Sequence, residues 1–549
     1  MKVSELLVRS LESYGVRRAY GLVGTSILEL MDALSSSRIR YVSTRHEQVA
    51  VSMADAEGRL TGKPGIAMVH GGPGFLNSLI SVTNAWKDGS PMVLVAGAMK
   101  RRMAGMDSWL EVPQSAMVAS VVKQAWRVER GSDAARIFAD AYALAGSPPY
   151  GPTFVEVPED VWSLEAGSAV IKPVTRTARA PTVAEVAGAA ELLARSKKPL
   201  IVVGGGINSP DGADALQALL SRAEVPVVSS GNGRGAIPED SPLAFGRIGF
   251  GGGSRVADSA LVEADAVLCL GCGLSDVSTY GFNLTPKGEV IIVDLDPLWD
   301  RKPVPCSMHA DCDATQFVRD LSRTAAPEQM EEGWRGQTET ERKRWDALLK
   351  DAESRTKEGF VNPAKFLHAL DSLLPRDTIL AVGQGLHVLY AYAFLKVRSS
   401  RSFLAATNMG SMGFALPAAI GAKMVFPERE TVGVMGDGEF MMTIQDLETA
   451  VREKVAAKIV IVNDNSYRVL LMRQKIQKMG RIFGTTHSNP NFARVAEAFG
   501  AKGLVIDSDE KVRQGVEFLT SESELPLILE LRVDPEDLPP LNIQGSLMF

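Results

Sequence analysis

The stretch Thr431-Val-Gly-Val-Met-Gly-Asp-Gly438 decides the fold, because an apolar run ends there in Gly-Asp-Gly. A second apolar run, Lys458-Ile-Val-Ile-Val-Asn-Asp464, also ends in polar residues. Between the two runs, residues 443–452 carry apolar side chains at helical spacing, which predicts a helix that crosses back to a neighbouring parallel strand. Asp437 and Asp464 are therefore expected at the same edge of one sheet.

This pattern suits a site for a metal ion and a diphosphate. Glycine lets backbone N–H groups approach phosphate oxygens closely, and a carboxylate binds a hard cation. We predict that Asp437, Asp464 and a backbone carbonyl near Ser466 bind Mg²⁺. The predicted cofactor-binding residues at this place are Gly436, Asp437, Gly438, Glu439, Asp464 and Ser466. A simple turn is the alternative for Gly-Asp-Gly alone, and the second polar strand end favours the metal site.

The two strand ends resemble the cofactor motif of the thiamin-diphosphate enzymes of the acetolactate synthase, oxo-acid decarboxylase and aldehyde lyase group. In that motif Gly-Asp-Gly is followed by Asn-Asn, so this chain departs from it by placing Asp464 where an amide is usual. A carboxylate still suits Mg²⁺, but it adds one negative charge beside a diphosphate. The resemblance implies thiamin diphosphate and Mg²⁺ as cofactors.

Two segments further upstream resemble other parts of the same site. Residues 408–422, Asn-Met-Gly-Ser-Met-Gly-Phe-Ala-Leu-Pro-Ala-Ala-Ile-Gly-Ala, are similar to the loop that bends the cofactor. By this resemblance the Gly410 carbonyl and the Met412 N–H hold the aminopyrimidine, and the Met412 side chain lies under the thiazolium. Val382-Gly-Gln384 is similar to a diphosphate-contacting segment. The histidine that often follows the glutamine is Gly385 here, so only Gln384 is assigned to the cofactor.

The N-terminal region resembles the pyrimidine domain of the same enzymes. Arg45-His-Glu-Gln48 opens a predicted helix, and His70-Gly-Gly-Pro-Gly-Phe-Leu-Asn77 follows the next predicted strand. Glu47 matches the glutamate that hydrogen-bonds a pyrimidine ring nitrogen and thereby helps the cofactor's own amino group to act as a base. A favourable interaction with the helix dipole is the general alternative for a glutamate at a helix start. The position of Glu47 before the glycine-rich loop favours catalysis.

His70 and Thr25 are the other candidate catalytic residues. His70 ends a predicted strand just before the glycine-rich loop, where some oxo-acid decarboxylases and lyases of this group have a histidine. A hydrogen-bonded histidine at a strand end is the alternative. Thr25 and Ser26 follow the first predicted strand, where such enzymes place a substrate-facing residue, and capping of the next helix is the alternative for both.

The segments that would select the substrate differ from those of acetolactate synthases. Trp109-Leu-Glu111 replaces Phe-Gln-Glu, so Leu110 removes a polar contact. Arg468 or Arg473, on a predicted helix, is either a contact for an anionic substrate or a solvated side chain. The resemblance predicts a small-molecule substrate and an acetolactate-synthase-like 2-oxo acid decarboxylase or carboligase that forms or breaks a C–C bond. A 2-hydroxyacyl-CoA lyase or oxalyl-CoA decarboxylase, and a catalytically silent cofactor-binding homologue, are the alternatives.

The length of 549 residues predicts three or four domains, and the resemblance implies an α/β protein of three, each with a mostly parallel sheet flanked by helices. We expect a pyrimidine-binding domain at 1–165, a middle Rossmann-like domain at 185–325 and a diphosphate-binding domain at 360–549. The middle region contains the glycine runs 204–206 and 251–253 but no complete dinucleotide fingerprint. FAD therefore stays an unsupported alternative there.

Charge and hydropathy argue against two classes of partner. The net charge is −6 with both signs interspersed, so no nucleic-acid partner is expected. The N-terminus reads as an amphipathic helix, and no apolar run reaches membrane-spanning length, which predicts a cytoplasmic protein without a membrane partner. In the resembled family one site is shared between subunits. The resemblance therefore implies a homodimer at minimum, in which Glu47 acts on cofactor held by Asp437 of its neighbour, and favours a homotetramer.

Overall fold

The computed structural model describes residues 1–250, 253–324 and 332–540. These residues form three parallel sheets flanked by helices, which confirms the predicted fold class. Gly251 and Gly252 of the second glycine run, residue 325 and residues 541–549 of the predicted domains lie outside the described residues. None of the helices described is both long and apolar enough to cross a membrane.

The first sheet lies in the N-terminal region and has the strand order β2-β1-β3-β4-β6-β5, with all neighbours parallel. Its strands are β1 Arg18–Leu22, β2 Arg40–Ser43, β3 Gly65–Val69, β4 Met92–Ala98, β5 Ala125–Arg127 and β6 Pro152–Pro158. The helices around it are α1 Val3–Ser13, α2 Leu28–Ser35, α3 Glu47–Thr61, α4 Pro73–Lys87, α5 Gln114–Val118 and α6 Gly131–Ala145. The predicted helix after Arg45 is thus α3.

The second sheet has the order β12-β11-β10-β7-β8-β9, the arrangement of dinucleotide-binding folds. Its strands are β7 Pro199–Val203, β8 Val227–Ser229, β9 Ala244–Arg247, β10 Ala266–Leu270, β11 Glu289–Val293 and β12 Met308–Ala310. Its helices are α7 Val183–Arg195, α8 Pro210–Ala223, α9 Arg255–Glu263 and α10 Ala314–Leu321. A Cβ on Gly204 would lie 2.0 Å from the carbonyl oxygen of Gly271. The first glycine run therefore permits close packing between two loops.

Helix α11, Glu332–Ser354, leads to the third sheet, whose order is β14-β13-β15-β16-β18-β17. Its strands are β13 Ile379–Val382, β14 Phe403–Ala405, β15 Thr431–Gly436, β16 Lys458–Asn463, β17 Lys502–Ile506 and β18 Leu527–Arg532. Its helices are α12 Pro363–Asp371, α13 His387–Phe394, α14 Ala415–Val425, α15 Asp437–Thr443, α16 Leu447–Arg452, α17 Arg468–Gln477, α18 Phe492–Ala498 and α19 Val512–Thr520.

Short 3₁₀ helices complete the described secondary structure. They span Thr25–Ile27, Arg101–Met103, Glu159–Val161, Gly231–Gly233, Val277–Thr279, Trp299–Arg301, Ile444–Asp446 and Asp509–Lys511. One of them interrupts the connection between β15 and β16. The helix predicted over residues 443–452 is therefore wrong in its extent, because the chain turns into α15 directly at Asp437 and reaches α16 through the 3₁₀ turn.

The first and third sheets share one strand order and one hydrophobic core. Helices α3 and α14 pack against each other between the two sheets, and both are lined with small or apolar buried residues. A Cβ on Gly421 of α14 would lie 3.2 Å from the Met53 backbone of α3, so this glycine allows the close approach. Polar contacts support the same junction, since the Arg45 N–H donates to Asp446 Oδ1 at 2.8 Å. The packing places the starts of α3 and α14 in one part of the molecule.

Candidate active site

The carboxyl edge of the third sheet holds the residues predicted to bind a metal ion. Strands β15 and β16 are parallel neighbours, with Gly436 opposite Val462, so the residues that follow the two strands emerge side by side. Asp437 begins α15, and Asp464 follows β16 directly. Asp437 is almost fully buried, and Asp464 lies close enough for its charge to act on it. Tertiary structure therefore brings the two carboxylates together as the strand pattern predicted.

The Asp437 carboxylate is held by neighbouring polar groups. Its Oδ1 accepts from the Gly438 N–H at 2.9 Å, and its Oδ2 accepts from Asn489 Nδ2 at 2.6 Å. His487 Nε2 lies 3.1 Å from the same Oδ2. Burial raises the pKa of the Asp437 carboxyl above its usual range, and the negative charge of Asp464 raises this pKa further. A bound cation would favour the ionised carboxylate at this position.

Asn489 and His487 were not among the residues predicted for the site. Both lie in the polar loop after α17, far from Asp437 in the sequence. The ring of Tyr467 packs edge-on against His487 with the centroids 5.0 Å apart, which fixes the imidazole beside Asp437. A histidine in a polar loop carries no signal of such a contact, because the contact depends on how the loop folds back over the sheet edge.

A cavity opens beside the two aspartates. Its lining includes Gln384, Met412, Gly436, Asp437, Gly438, Glu439, Asp464 and Ser466. A Cβ on Gly438 would lie 2.6 Å from the Tyr467 ring, and one on Gly436 would lie 2.9 Å from the His387 ring, so both positions need glycine for these rings to pack there. Carboxylate oxygens beside glycine backbone, which carries no side chain, suit Mg²⁺ together with a diphosphate. The residues present therefore fit the cofactor pair predicted from the sequence.

The Glu439 carboxylate connects two loops that line this cavity. Its Oε2 accepts from the Gln384 N–H at 2.7 Å, and its Oε1 accepts from the N–H groups of Gly413 and Phe414 at 3.0 and 3.2 Å. A Cβ on Gly383 would overlap the same carboxylate, which leaves glycine as the residue that fits there. Glu439, predicted to bind cofactor, thus sets the positions of the loops that carry Gln384 and Met412.

Two of the predicted loop residues, Gln384 and Met412, line the cavity, whereas Gly410 is not among its lining residues. Gln384 Nε2 donates to the Ala406 carbonyl at 3.2 Å, and the Met412 carbonyl accepts from Gln48 Nε2 of α3 at 3.3 Å. Gly410 has a φ of +69°, which a glycine adopts without strain. The conformation of this loop therefore depends on glycine as well as on contacts from the first domain.

His387 is a site residue that sequence reasoning missed. It is buried, lines the cavity and lies with its Nε2 3.6 Å from Glu439 Oε2. The prediction considered only the residue directly after Gln384, which is Gly385 here. The chain reaches the same region with the first residue of α13, because the turn after β13 brings His387 back toward the sheet edge.

Glu47 lies in a second cluster at the start of α3. Its side chain is buried, and its Oε2 accepts from Asn77 Nδ2 of α4 at 3.0 Å. The helix starts at Glu47 because His46 Nδ1 accepts from the Gln48 N–H at 3.2 Å and caps the first turn. A Cβ on Gly74 would lie 2.9 Å from Glu47 Oε1, so the glycine-rich loop leaves one carboxylate oxygen uncrowded.

His70 belongs to the same cluster and is oriented by Ser26. The Ser26 Oγ lies 2.7 Å from His70 Nδ1 and accepts from the Gly71 N–H at 2.9 Å, while the Ser26 N–H donates to Nδ1 at 3.4 Å. Because Nδ1 accepts, the proton of the neutral ring is on Nε2. Burial lowers the pKa of His70 below its usual value, which favours this neutral form.

Thr25 is placed differently from its neighbour Ser26. Thr25 is exposed and begins a 3₁₀ helix after Gly24, whereas Ser26 is buried against His70. Neither side chain caps α2, whose first turn has no capping hydrogen bond among the described residues. The capping alternative is therefore wrong for both residues, and a substrate-facing role for Thr25 stays a prediction.

The segment that departs from the acetolactate synthase pattern is a strained loop beside this cluster. Leu110 has a φ of +68°, and its carbonyl oxygen would lie 2.3 Å from a Cβ on Gly72. The Glu111 carboxylate accepts from the N–H groups of Gly105 and Ser108, so it closes its own loop. Trp109 is 76% exposed. A large apolar side chain therefore projects from the loop beside the Glu47 cluster.

The two clusters form separate halves within one chain. The residues that line the cavity beside Asp437 all belong to the third domain, between Gln384 and Leu470. Glu47, His70 and Thr25 are not among them. The cavity beside Asp437 therefore does not include the Glu47 cluster in the described chain.

Comparison with protein families assigns these regions to one group. Residues 1–120 match the thiamine pyrophosphate enzyme N-terminal TPP binding domain, residues 186–321 match the central domain, and residues 383–531 match the C-terminal TPP binding domain. Thiamine pyrophosphate is thiamin diphosphate. The first and third matches contain the Glu47 cluster and the Asp437 cavity.

Curated relatives extend over nearly the whole chain. The acetolactate synthase isozyme 3 large subunit of Escherichia coli is 30% identical over 568 residues, covering 99% of this chain and 97% of that protein. The probable acetolactate synthase large subunit of Methanocaldococcus jannaschii is 28% identical over 565 residues, covering 100% of this chain and 94% of that protein. These matches confirm the family that the motifs around Asp437 and Glu47 resemble. The chain therefore belongs to the thiamine pyrophosphate enzyme family, and it is an acetolactate-synthase-like enzyme that depends on thiamin diphosphate.

Proposed function

We propose that this enzyme uses thiamin diphosphate and Mg²⁺ to decarboxylate a free 2-oxo acid and to transfer the remaining acyl carbon to a carbonyl acceptor. The observation that carries this proposal is the pair of carboxylates, Asp437 and Asp464, beside one cavity at the edge of the third sheet. The similarity to acetolactate synthases over almost the full length supports the choice of a 2-oxo acid as donor.

The cavity residues would hold the cofactor pair. Asp437, Asp464 and a backbone carbonyl near Ser466 supply hard oxygen ligands for Mg²⁺. The backbone at Gly436 and Gly438, which line the cavity, would lie beside the diphosphate. When bound, thiamin diphosphate supplies the electron sink that allows a bond next to a carbonyl to be broken. The protein's contribution is to orient this group and to place proton donors around it.

Two side chains of the N-terminal cluster, Glu47 and His70, would donate or accept protons during the reaction. The Glu47 carboxyl would share a proton with the pyrimidine ring nitrogen, and Asn77 fixes its orientation through Oε2. The neutral His70 ring would present its Nε2–H to a substrate oxygen, since Ser26 occupies Nδ1. Thr25, on the exposed turn after β1, would lie toward the substrate.

Product release from a substrate panel tests the proposed reaction. The purified enzyme is assayed for carbon dioxide and aldehyde or acyloin formation from 2-oxo acids and from 2-hydroxyacyl-CoA and oxalyl-CoA thioesters, with Mg²⁺ and thiamin diphosphate present or removed. We expect cofactor-dependent turnover of a free 2-oxo acid. Turnover of thioesters alone would replace the proposal with a CoA lyase or oxalyl-CoA decarboxylase, and no turnover with any donor would contradict it in favour of a silent homologue.

The separation of the two clusters supports a dimeric site. We propose that Glu47 of one subunit faces the cofactor held by Asp437 of a second copy, with a homotetramer as the larger assembly. In a mixed dimer of Glu47→Gln and Asp437→Asn subunits, one site has both functional residues and the other has neither. Random mixing makes about half of the dimers mixed, and each mixed dimer has one functional site out of two. About a quarter of the parental activity is therefore expected after co-refolding.

Complementation distinguishes this arrangement from a site within one chain. Each variant is assayed alone and after co-expression with the other, with two different affinity tags to isolate the mixed species. Activity that appears only in the mixed species supports the shared site. If each chain contained its complete site, every subunit in the mixed species would carry one defect, and its activity would stay at the level of the single variants.

A further inference from the structure

The extra carboxylate at the strand end has a cationic partner on the next helix. Arg468 Nη1 lies 3.4 Å from Asp464 Oδ2, and the side chains are only 4% and 9% exposed. Asp464 is the residue that departs from the amide usual in the family motif, and Arg468 follows it by four positions at the start of α17. Asp464, which replaces the usual amide, therefore has the positive charge of Arg468 beside it in the folded chain.

Asp464 needs such a partner because of its surroundings. It lies beside Asp437 at the ends of two neighbouring strands, and its Oδ1 accepts from Ser466 Oγ at 2.6 Å. A diphosphate in the adjoining cavity would add further negative charge. Removing one partner of a buried ion pair leaves an uncompensated charge, which is costly in the interior of a protein.

The guanidinium of Arg468 is fixed in position by the main chain. Its Nη1 donates to the Asp534 carbonyl at 2.9 Å, and its Nη2 donates to the Asp537 carbonyl. Asp537 is held in turn by the Tyr390 hydroxyl, which donates to its Oδ2 at 2.6 Å, and by Arg355. The segment after β18 thus anchors the cation that faces Asp464.

We infer that Asp464 and Arg468 form one functional unit, in which Arg468 balances the carboxylate and makes it acceptable as an Mg²⁺ ligand beside the diphosphate. This inference rests on the proposed function. Arg468 is then a positioning residue that acts through Asp464, because its Nη1 faces that carboxylate while both Nη atoms bind main-chain carbonyls. The burial of Arg468 contradicts the interpretation of a solvated side chain, whereas a contact with an anionic substrate stays a prediction.

A double-mutant cycle on cofactor affinity tests the unit. The dissociation constant of thiamin diphosphate is measured at saturating Mg²⁺ by calorimetry or tryptophan fluorescence for the parent, Arg468→Met, Asp464→Asn and the double variant. We expect Arg468→Met to weaken binding about 10- to 100-fold, as is typical when a partner of a metal ligand is removed. Asp464→Asn restores the family amide and removes the need for compensation, so the double variant should bind within about threefold of Asp464→Asn alone.

Two further variants separate charge balance from a purely structural role. Arg468→Lys keeps the positive charge but loses the fork that reaches two carbonyls, so it should keep most of the cofactor affinity. Lys475→Met removes another cation of α17, one that pairs with Glu536 of the segment after β18 at 2.7 Å and does not contact Asp464. It should leave the affinity unchanged. Melting temperatures of all variants show whether they are folded.

The outcomes separate failure of the inference from failure of the proposed function. If the parent binds cofactor but the effects of Arg468→Met and Asp464→Asn simply add, Arg468 does not act through Asp464 and the inference is overturned. An equal loss of affinity in Arg468→Lys and Arg468→Met would also overturn it, because charge would then not be the property that matters. A parent that binds no thiamin diphosphate with Mg²⁺ would overturn the proposed function, and the inference with it.

Discussion

Glu47→Gln should lower turnover on the order of 10²- to 10⁴-fold, the range typical for loss of general acid–base catalysis. An amide keeps the size of the side chain and its contact with Asn77, but it cannot exchange a proton with the pyrimidine nitrogen. Thiamin diphosphate should still bind, because the residues beside the diphosphate belong to the cavity around Asp437. Steady-state kinetics and cofactor titration of the same preparation measure the two effects separately.

Glu29→Gln is a matched control for this change. Glu29 lies on α2 of the same domain and pairs with Lys2 at the surface, so its loss should change stability little and leave turnover unchanged. An unchanged turnover number for Glu47→Gln with every active substrate would contradict the assigned role.

Asp437→Asn should weaken the binding of thiamin diphosphate with Mg²⁺ by at least about 100-fold, beyond the loss typical for a residue that only supports a metal ligand. The substitution keeps the shape of the side chain but removes the negative charge that faces the cation. The amide also cannot accept from both Asn489 and the Gly438 N–H in the same way as a carboxylate. Calorimetric titration at several Mg²⁺ concentrations measures the loss.

An aspartate at the same sheet edge serves as the control. Asp507 directly follows β17 of the third sheet and pairs with Lys511 at 2.6 Å, outside the cavity lining. Asp507→Asn should leave cofactor affinity and its dependence on Mg²⁺ unaltered. If Asp437→Asn behaved like Asp507→Asn, the carboxylate at the end of β15 would not be a metal ligand.

Sequence patterns were sufficient for features that depend on periodicity within short segments. Apolar runs that end in polar residues predicted that Asp437 and Asp464 lie at one sheet edge, because parallel strands joined by a helix end on the same side. The start of α3 at Glu47 could likewise be read from its flanking residues. The start of α15 could not, because Gly-Asp-Gly is equally compatible with a turn and with the first turn of a helix.

Local sequence patterns could not predict contacts between loops that are far apart in the chain. The approach of His487 and Asn489 to Asp437, and of Ser26 to His70, joins segments separated by tens of residues. Each contact depends on the path of a loop over the sheet edge, and that path is set by packing over the whole domain. A polar side chain in a loop has the same local sequence signal whether or not it reaches a site.

The sequence alone determined the family, the three α/β domains and the residues at the strand ends, because these follow from local periodicity and from motifs of fixed order. Only the tertiary structure decided which side chains support them: the Glu439 carboxylate that joins two loops, the Ser26 contact that sets the His70 tautomer, and the Arg468 cation beside Asp464. The physical reason is that buried charges and hydrogen-bonding groups are satisfied by whatever partner lies nearest in space, and nearness in space is a property of the folded chain.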